Sequence, residues 1–274
     1  MIRKMNATIG TWFGFFLAAF LVYRYFSDGD FSFLMTFAAF TRTFGFALLN
    51  ARMFLKKHAK GVSLKTLQIY VLVFAMRLIS ITRHEGYLPY DRSGDYIYHT
   101  AEILSLLLSA SAMVLMYTKF QRTYQRDYDN FGAYPPLPHE LGTLWLVVPA
   151  LVLALVLHPS LNNDFLSDTA WTASMYLESA AIVPQLFMFQ KQAKGVVEVL
   201  VGHSVFALGF ARVLDMIFWL YSYHELTNKA GSKAVGILVL GTQFVHIAIM
   251  GDFFYYYFVS IRTGELMQLP TSAS

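Results

Sequence analysis

Eight apolar runs follow one another along the chain, near residues 9–26, 31–49, 64–82, 99–117, 141–158, 170–189, 200–223 and 234–259. About 20 apolar residues at helical rise cover the hydrocarbon core of a bilayer. In lipid a spanning segment must satisfy its own N–H and C=O groups, which an α-helix does within one run. The gaps carry Gly, Pro, Asn, Asp and Lys, as connecting segments do. Of the 274 residues 56% are hydrophobic and only 14% charged, against about 25% charged in a soluble domain. The sequence therefore reads as an all-α, polytopic membrane protein. It contains no cysteine, which excludes a disulfide framework, a thiol nucleophile and a thiolate metal site.

With eight spans both termini share one side of the membrane. That side collects Arg3, Lys4, Arg52, Lys56, Lys57, Lys60, Lys65, Lys119, Arg122, Arg126, Lys191, Lys194 and Arg262. The other side holds only Arg24, Arg83, Arg92, Lys229 and Lys233. An excess of Lys and Arg marks the cytosolic side, so the termini and the 121–140 connector, with Pro135, Pro136 and Pro138, are expected there. The loops 87–95 and 159–168 are expected in the lumen or exterior. The basic residues lie scattered between apolar runs, so the net charge of +4 reflects topology, and nucleic acid is not an expected partner.

The most informative stretch is WTASMYLESAAIVPQLFMFQ at 171–190, which holds Glu178 near its middle and Pro184-Gln185 half-way to its end. A carboxylate inside a span is costly and faces other helices or a water-filled cavity, where it marks a functional site or pairs with a buried arginine. Three arginines also fall within spans: Arg42, Arg77 and Arg212. Within or at the ends of spans stand Glu102, Asp168, Glu178, Asp215 and Asp252, with His203, Gln243 and His246 as polar company. Such groups are expected to converge on the bundle interior. Arg212 and Asp215, three apart, share a helical face, and Glu178 on the preceding span is placed to meet Arg212.

Two readings follow. One is a stabilising ion network, in which removing one partner costs about 3–5 kcal/mol. The other is a cavity that captures a charged ligand. The guanidinium fork holds two carboxylate oxygens at once, and Arg77, in an otherwise apolar helix, is the first candidate for that task. His99, His203 and His246 stand alone on separate spans and read as hydrogen-bonded core residues, not metal ligands. Zincin spacing and a phosphate-cradling glycine loop are both missing, so neither an enzyme nor a cofactor is expected. The aromatic stretch 253–258 is expected to pack or to form an interfacial belt.

The stretches KGVSLKTLQ (60–68), YTKFQRTY (117–124), LVVPA (146–150), MYLESAAIVPQLFM (175–188), HSVFALGFAR (203–212) and DFFYYY (252–257) resemble, in order and spacing, the ER lumen protein-retaining receptors, also called KDEL receptors. The added N-terminal hydrophobic segment and RLIS at 77–80 look closer to the plant-type receptor-like branch. The resemblance implies a seven-helix core of two three-helix bundles joined by a linking helix, similar to SWEET-group sugar transporters and PQ-loop proteins. With the extra helix, the chain divides into an extension (1–30), the core (31–262) and a cytosolic tail (263–274).

The same resemblance implies a receptor in endoplasmic reticulum and Golgi membranes. Its partners would be the C-terminal Lys/His-Asp-Glu-Leu tails of luminal proteins, vesicle coat machinery and the lipid bilayer. A luminal cavity would bind the tail at acidic Golgi pH and release it at neutral ER pH. Arg77 matches the arginine that holds the tail's terminal carboxylate. Asp168 matches an acid facing the tail's basic residue, and Trp171 matches the cavity tryptophan. Glu178 matches the buried carboxylate of the proton switch, and Arg212 a basic residue lining the entry route. Asp252 lies in the matched last-span motif and joins Asp215 and His203 in the expected intramembrane polar network.

The sequence also departs from that pattern. Ser80 stands for a cavity aspartate, Ala211 for a tyrosine that bonds the switch carboxylate, and Ser222 for another ligand arginine. Met35 replaces an arginine, and Arg42 falls where the family has a pH-sensing histidine. These changes should weaken binding of a standard tail or direct the site to a different ligand. A SWEET-like small-solute transporter and a trafficking paralogue with a degenerate pocket are the alternative readings.

Overall fold

The computed structural model describes residues 2–84, 94–134, 138–192, 195–230 and 233–270. Its α-helices are α1 (Ile2–Phe26), α2 (Phe33–Lys56), α3 (Leu64–Ile81), α4 (His99–Tyr117), α5 (Leu144–Val156), α6 (Phe165–Ala180), α7 (Val183–Lys191), α8 (Val199–Tyr221), α9 (Tyr223–Ala230), α10 (Lys233–Ile249) and α11 (Gly251–Thr263). Local signals set several boundaries. Ser63 caps α3 by accepting from Thr66 N, and Asp164 caps α6 by accepting from Leu166 N. Each satisfies one of the N–H groups that a helix start leaves without a partner. Most of the expected loop 87–95, together with Pro135 and Pro136 of the connector, lies outside the described residues.

The protein is a polytopic all-helical membrane protein. Among the described residues five helical stretches are long and apolar enough to cross a membrane, at 33–56, 64–81, 96–117, 139–156 and 199–221. The pair α10 and α11, bent by 50°, makes a sixth if it is one span. Two expected runs are thus not single straight helices. The run 170–189 divides between α6 and α7 at Ala181-Ile182, just before Pro184 at the start of α7. Proline has no N–H, and its ring crowds the carbonyl four residues back, so the helix stops and restarts with proline in its first turn. The run 234–259 bends at Met250, between α10 and α11.

The lipid-facing surface is apolar, and the ionisable groups of the spans lie inside it. Leu107, Val152, Ile217 and Phe244 are exposed, whereas Arg42, Arg77, Glu102, Glu178 and Arg212 are buried. That order suits a hydrocarbon solvent, in which ionisable groups gather inward. α2 and α8 cross closely because Gly45 has no side chain. A Cβ there would lie 3.1 Å from Ser204 O and 3.3 Å from the Ala207 Cβ, the small-residue contact by which helices approach in membranes. α1 lies against this pair through aromatic rings, with Trp12 5.4 Å from Phe44 and 5.5 Å from Phe206.

On the face where α2 ends and α3 begins, Gln185 of α7 holds the connecting turn. Its Nε2 donates to Gly61 O (2.9 Å) and its Oε1 accepts from Ser63 N (2.8 Å). The C-terminal stretch after α11 is also tied down. Val197 N donates to Met267 O and Leu269 N to Gly195 O, each at 3.0 Å, and Met267 and Leu269 are buried.

Candidate functional site

Six helices each direct charged or polar side chains to one place near the middle of the bundle. Arg42 comes from α2, Arg77 from α3, Glu102 from α4, Glu178 from α6, Arg212 and Asp215 from α8, and Gln243 and His246 from α10. None is more than 6% exposed. Arg42 pairs with Glu102, reaches Asp215 Oδ2 through Nη1 at 2.7 Å, and holds Nε 3.7 Å from Glu178 Oε1. Arg77 pairs with Glu178 and approaches Glu102 Oε1 at 3.3 Å. Arg212 also pairs with Glu178, reaches Asp215 Oδ2 at 3.3 Å, and donates to Gln243 Oε1 at 2.9 Å.

Three guanidinium groups therefore face three carboxylates, and the described network is neutral when all six are ionised. Removing two opposite charges from water is repaid only when geometry and further hydrogen bonds are good. Here each carboxylate touches two or three arginines. Glu178 is the busiest. Its side chain meets all three arginines, and its backbone carbonyl accepts from His246 Nδ1 at 2.8 Å. A carbonyl only accepts, so His246 carries its proton on Nδ1. That carbonyl is open to His246 because it lies beside the break before α7, where it takes only a 3.4 Å bond from Ala181 N. The network keeps unspent valences: Glu178 Oε1, Arg212 Nε and His246 Nε2 are buried without a hydrogen-bond partner among the described residues.

Of the residues expected at the site, Arg77, Glu178, Arg212 and Asp215 come together. Trp171 packs in an apolar cluster with Met35, Phe218 and Trp219, its ring 6.5 Å from that of Trp219. His203 meets Tyr257 Oη at 2.7 Å and the edge of Trp12. Asp252 is exposed in the first turn of α11 and is not buried with the network. The bend at Met250 gives α11 its own start, and an acid near a helix N-terminus is favoured by the aligned peptide dipoles. Arg42, Glu102, Gln243 and His246, expected in the bundle interior but given no ligand or switch role by the sequence, join the network. Their mid-span positions were the available signal.

Asp168 is tied to the loop before α6. Its carboxylate accepts from Leu161 N (3.0 Å), Asn162 N (3.1 Å) and Asn162 Nδ2 (2.9 Å), and it is 2% exposed. It braces the loop before α6. Removing an acceptor that satisfies buried donors costs about 1–3 kcal/mol. Asp168→Ala should therefore lower thermal stability in detergent by that order and speed hydrogen exchange at the amides of 161–162.

A second tie closes the same end of the bundle. Asp164 accepts from His84 Nε2 at 2.9 Å and meets Arg83 Nη2 at 3.0 Å. Hydrogen bonds from Ser167 and His84 hold its carboxyl well below the usual carboxylate range. A depressed pKa gives a contribution that is present above the ordinary value and lost only as pH falls through the depressed one. Mild acidity therefore leaves this tie in place.

The sequence pattern of the ER lumen protein retaining receptors matches residues 58–222. The chain is 34% identical over 225 residues to ER lumen protein-retaining receptor B of Arabidopsis thaliana, covering 78% of this chain and 87% of that protein. The chain belongs to the ER lumen protein-retaining receptor family. It is also 32% identical over 228 residues to receptor erd-2.2 of Caenorhabditis elegans (81% of this chain, 92% of that protein). Identity to the Drosophila melanogaster receptor is 28% over 232 residues (84% and 95%). The family is one of receptors, not enzymes, and the chain is a multi-pass membrane protein of the secretory pathway.

Within this family, the departures noted in the sequence occupy definite places in the fold. Ser80 is buried near the end of α3, Ala211 is fully buried next to Arg212, and Ser222 stands at the C-cap of α8. Arg42 sits at the centre of the charge network. Where the resemblance puts a tyrosine hydroxyl bonding the switch carboxylate, this chain has Ala211, and Glu178 Oε1 is left without a hydrogen bond.

Proposed function

We propose that this protein is an ER retention receptor that binds C-terminal tails of the Lys/His-Asp-Glu-Leu type and cycles between Golgi and ER. The observation that carries this reading is the pairing of Arg77 and Arg212 with one buried carboxylate, Glu178. A peptide's terminal carboxylate has the same charge and two-oxygen geometry as Glu178, so it can take that carboxylate's place in an arginine fork. At neutral pH the exchange would leave four carboxylates against three guanidinium groups in a buried site. Uptake of one proton by Glu178 restores the balance. Binding would then draw a proton in, and a rise in pH would expel the ligand, which fits loading in acid and release at neutrality.

The alternative with support from a specific observation is a trafficking paralogue without a ligand. Ser80, Ala211 and Ser222 take away groups that the resemblance assigns to the ligand and switch, and the arginines are already neutralised internally. Arg77→Lys separates the two. It keeps the charge and removes the fork. A lost charge-assisted bond is worth about 1.5–3 kcal/mol, so tail binding at mildly acidic pH should fall roughly ten- to a hundredfold, measured by fluorescence anisotropy with a labelled tail peptide. If wild type binds no such tail at either acidic or neutral pH, the retention reading is wrong and the paralogue reading stands.

A further inference from the structure

On the face where α3 begins and α4 ends, far along both helices from the charge network, there is a cavity of about 320 Å³. That is within the usual range for a small-ligand site, roughly 300–1,000 Å³. Two cations, Lys65 and Arg126, line it together with His139 of the 121–140 connector. Lys65 is 3% exposed and uses one of its three N–H donors on Phe131 O at 2.6 Å. The nearest buried acid does not consume it. Asp129 already accepts from Ser63 Oγ (2.7 Å), Leu64 N (2.8 Å) and Tyr124 Oη (2.7 Å). His139 donates Nε2 to Arg126 O at 3.1 Å, which fixes its ring in the wall.

The cavity also offers hydroxyl-matching groups. Gln68 gives its Nε2 to Tyr117 Oη at 2.7 Å, while its Oε1 is buried with no hydrogen-bond partner. Tyr117, having accepted, has its own proton free to donate. Glu140, paired with Arg126 at the exposed rim, supplies a second acceptor. Tyr117 is half exposed at the last turn of α4, the place where tyrosines anchor at a membrane interface. The face carries Arg52, Lys56, Lys57, Lys60 and Lys119, and an excess of basic residues marks the cytosolic leaflet.

We propose that this cavity binds a phosphate ester of a polyol, the headgroup chemistry of an inositol lipid. Lys65 and Arg126 take the phosphate, and Gln68, Tyr117, Glu140 and the Nδ1 acceptor of His139 take the ring hydroxyls. A phosphate alone would leave the acceptors unused, and a polyol alone would leave the cations unused. The site stands apart from the retention reading and does not depend on it.

The test uses the full chain in phosphatidylcholine nanodiscs doped with either a phosphatidylinositol monophosphate or phosphatidylserine, with retained lipid read by native mass spectrometry. The inositol lipid should be retained at least about tenfold better than phosphatidylserine. The double variant R126Q/H139Q, whose side chains lie at the connector, should abolish that preference. So should Q68L, which keeps every cation. Added glycerophosphoinositol phosphate that competes as well as the lipid would support the proposal and make the source soluble. Equal retention of the two lipids, no retention of either, an unchanged preference in both variants, or competition by inorganic phosphate alone at the same concentration would overturn it.

Discussion

Glu178→Gln is expected to bind a free-acid retrieval tail at neutral pH as tightly as wild type binds it in acid. Wild type holds three arginines and three carboxylates in mutual contact. A fourth carboxylate from the ligand enters without penalty only if one of the resident acids is protonated. Binding then takes up about one proton, and linkage makes the affinity fall roughly tenfold for each pH unit of rise. Glutamine at 178 removes the fourth charge permanently. The variant's affinity should be flat across the mildly acidic to neutral range, at the wild-type acidic value. A binding series over that range checks both the slope in wild type and its loss in the variant.

Arg42→Met is expected to produce the largest loss of stability in the chain. Arg42 is 2% exposed and touches Glu102 and Asp215, with Glu178 at 3.7 Å. Methionine fills similar space and strands those acids with two arginines between three carboxylates. Breaking a buried network on one side costs about 3–5 kcal/mol. Removing a resident acid as well should recover part of it, so Arg42→Met/Glu102→Gln should be more stable than Arg42→Met alone. Thermal unfolding in detergent, followed by size-exclusion recovery, reads both. If the double variant falls by the sum of the two single losses, the residues do not act as one network.

Much of this arrangement was legible in the sequence. Charges placed in runs otherwise fit for lipid have nowhere to go but inward, so Arg77, Glu178, Arg212 and Asp215 could be placed together before any coordinates. Helical spacing put Arg212 and Asp215 on one face. Pro184 lay in plain view too, yet its effect is to break the run into α6 and α7 and so open the Glu178 carbonyl to His246.

What was not legible depended on local backbone. Asp168 sits one turn into α6, and only the fold of 161–162 turns those amides toward it. Asp252 looked buried because α10 and α11 read as one run, and the bend at Met250 moves it to an exposed helix start. Glu102 and Arg42 were visible as charges within spans, but their pairing across α2 and α4 is a tertiary fact. The cavity beside Lys65 could not be read at all, since it needs α3, α4 and the connector brought together.

The most direct test compares two labelled peptides at mildly acidic pH on the purified full chain, identical in sequence, one ending in a free carboxylate and one in an amide. If arginines released from Glu178 receive a terminal carboxylate, the free acid binds and the amide loses at least about tenfold in affinity. Equal binding of the two, or binding of neither, would contradict it.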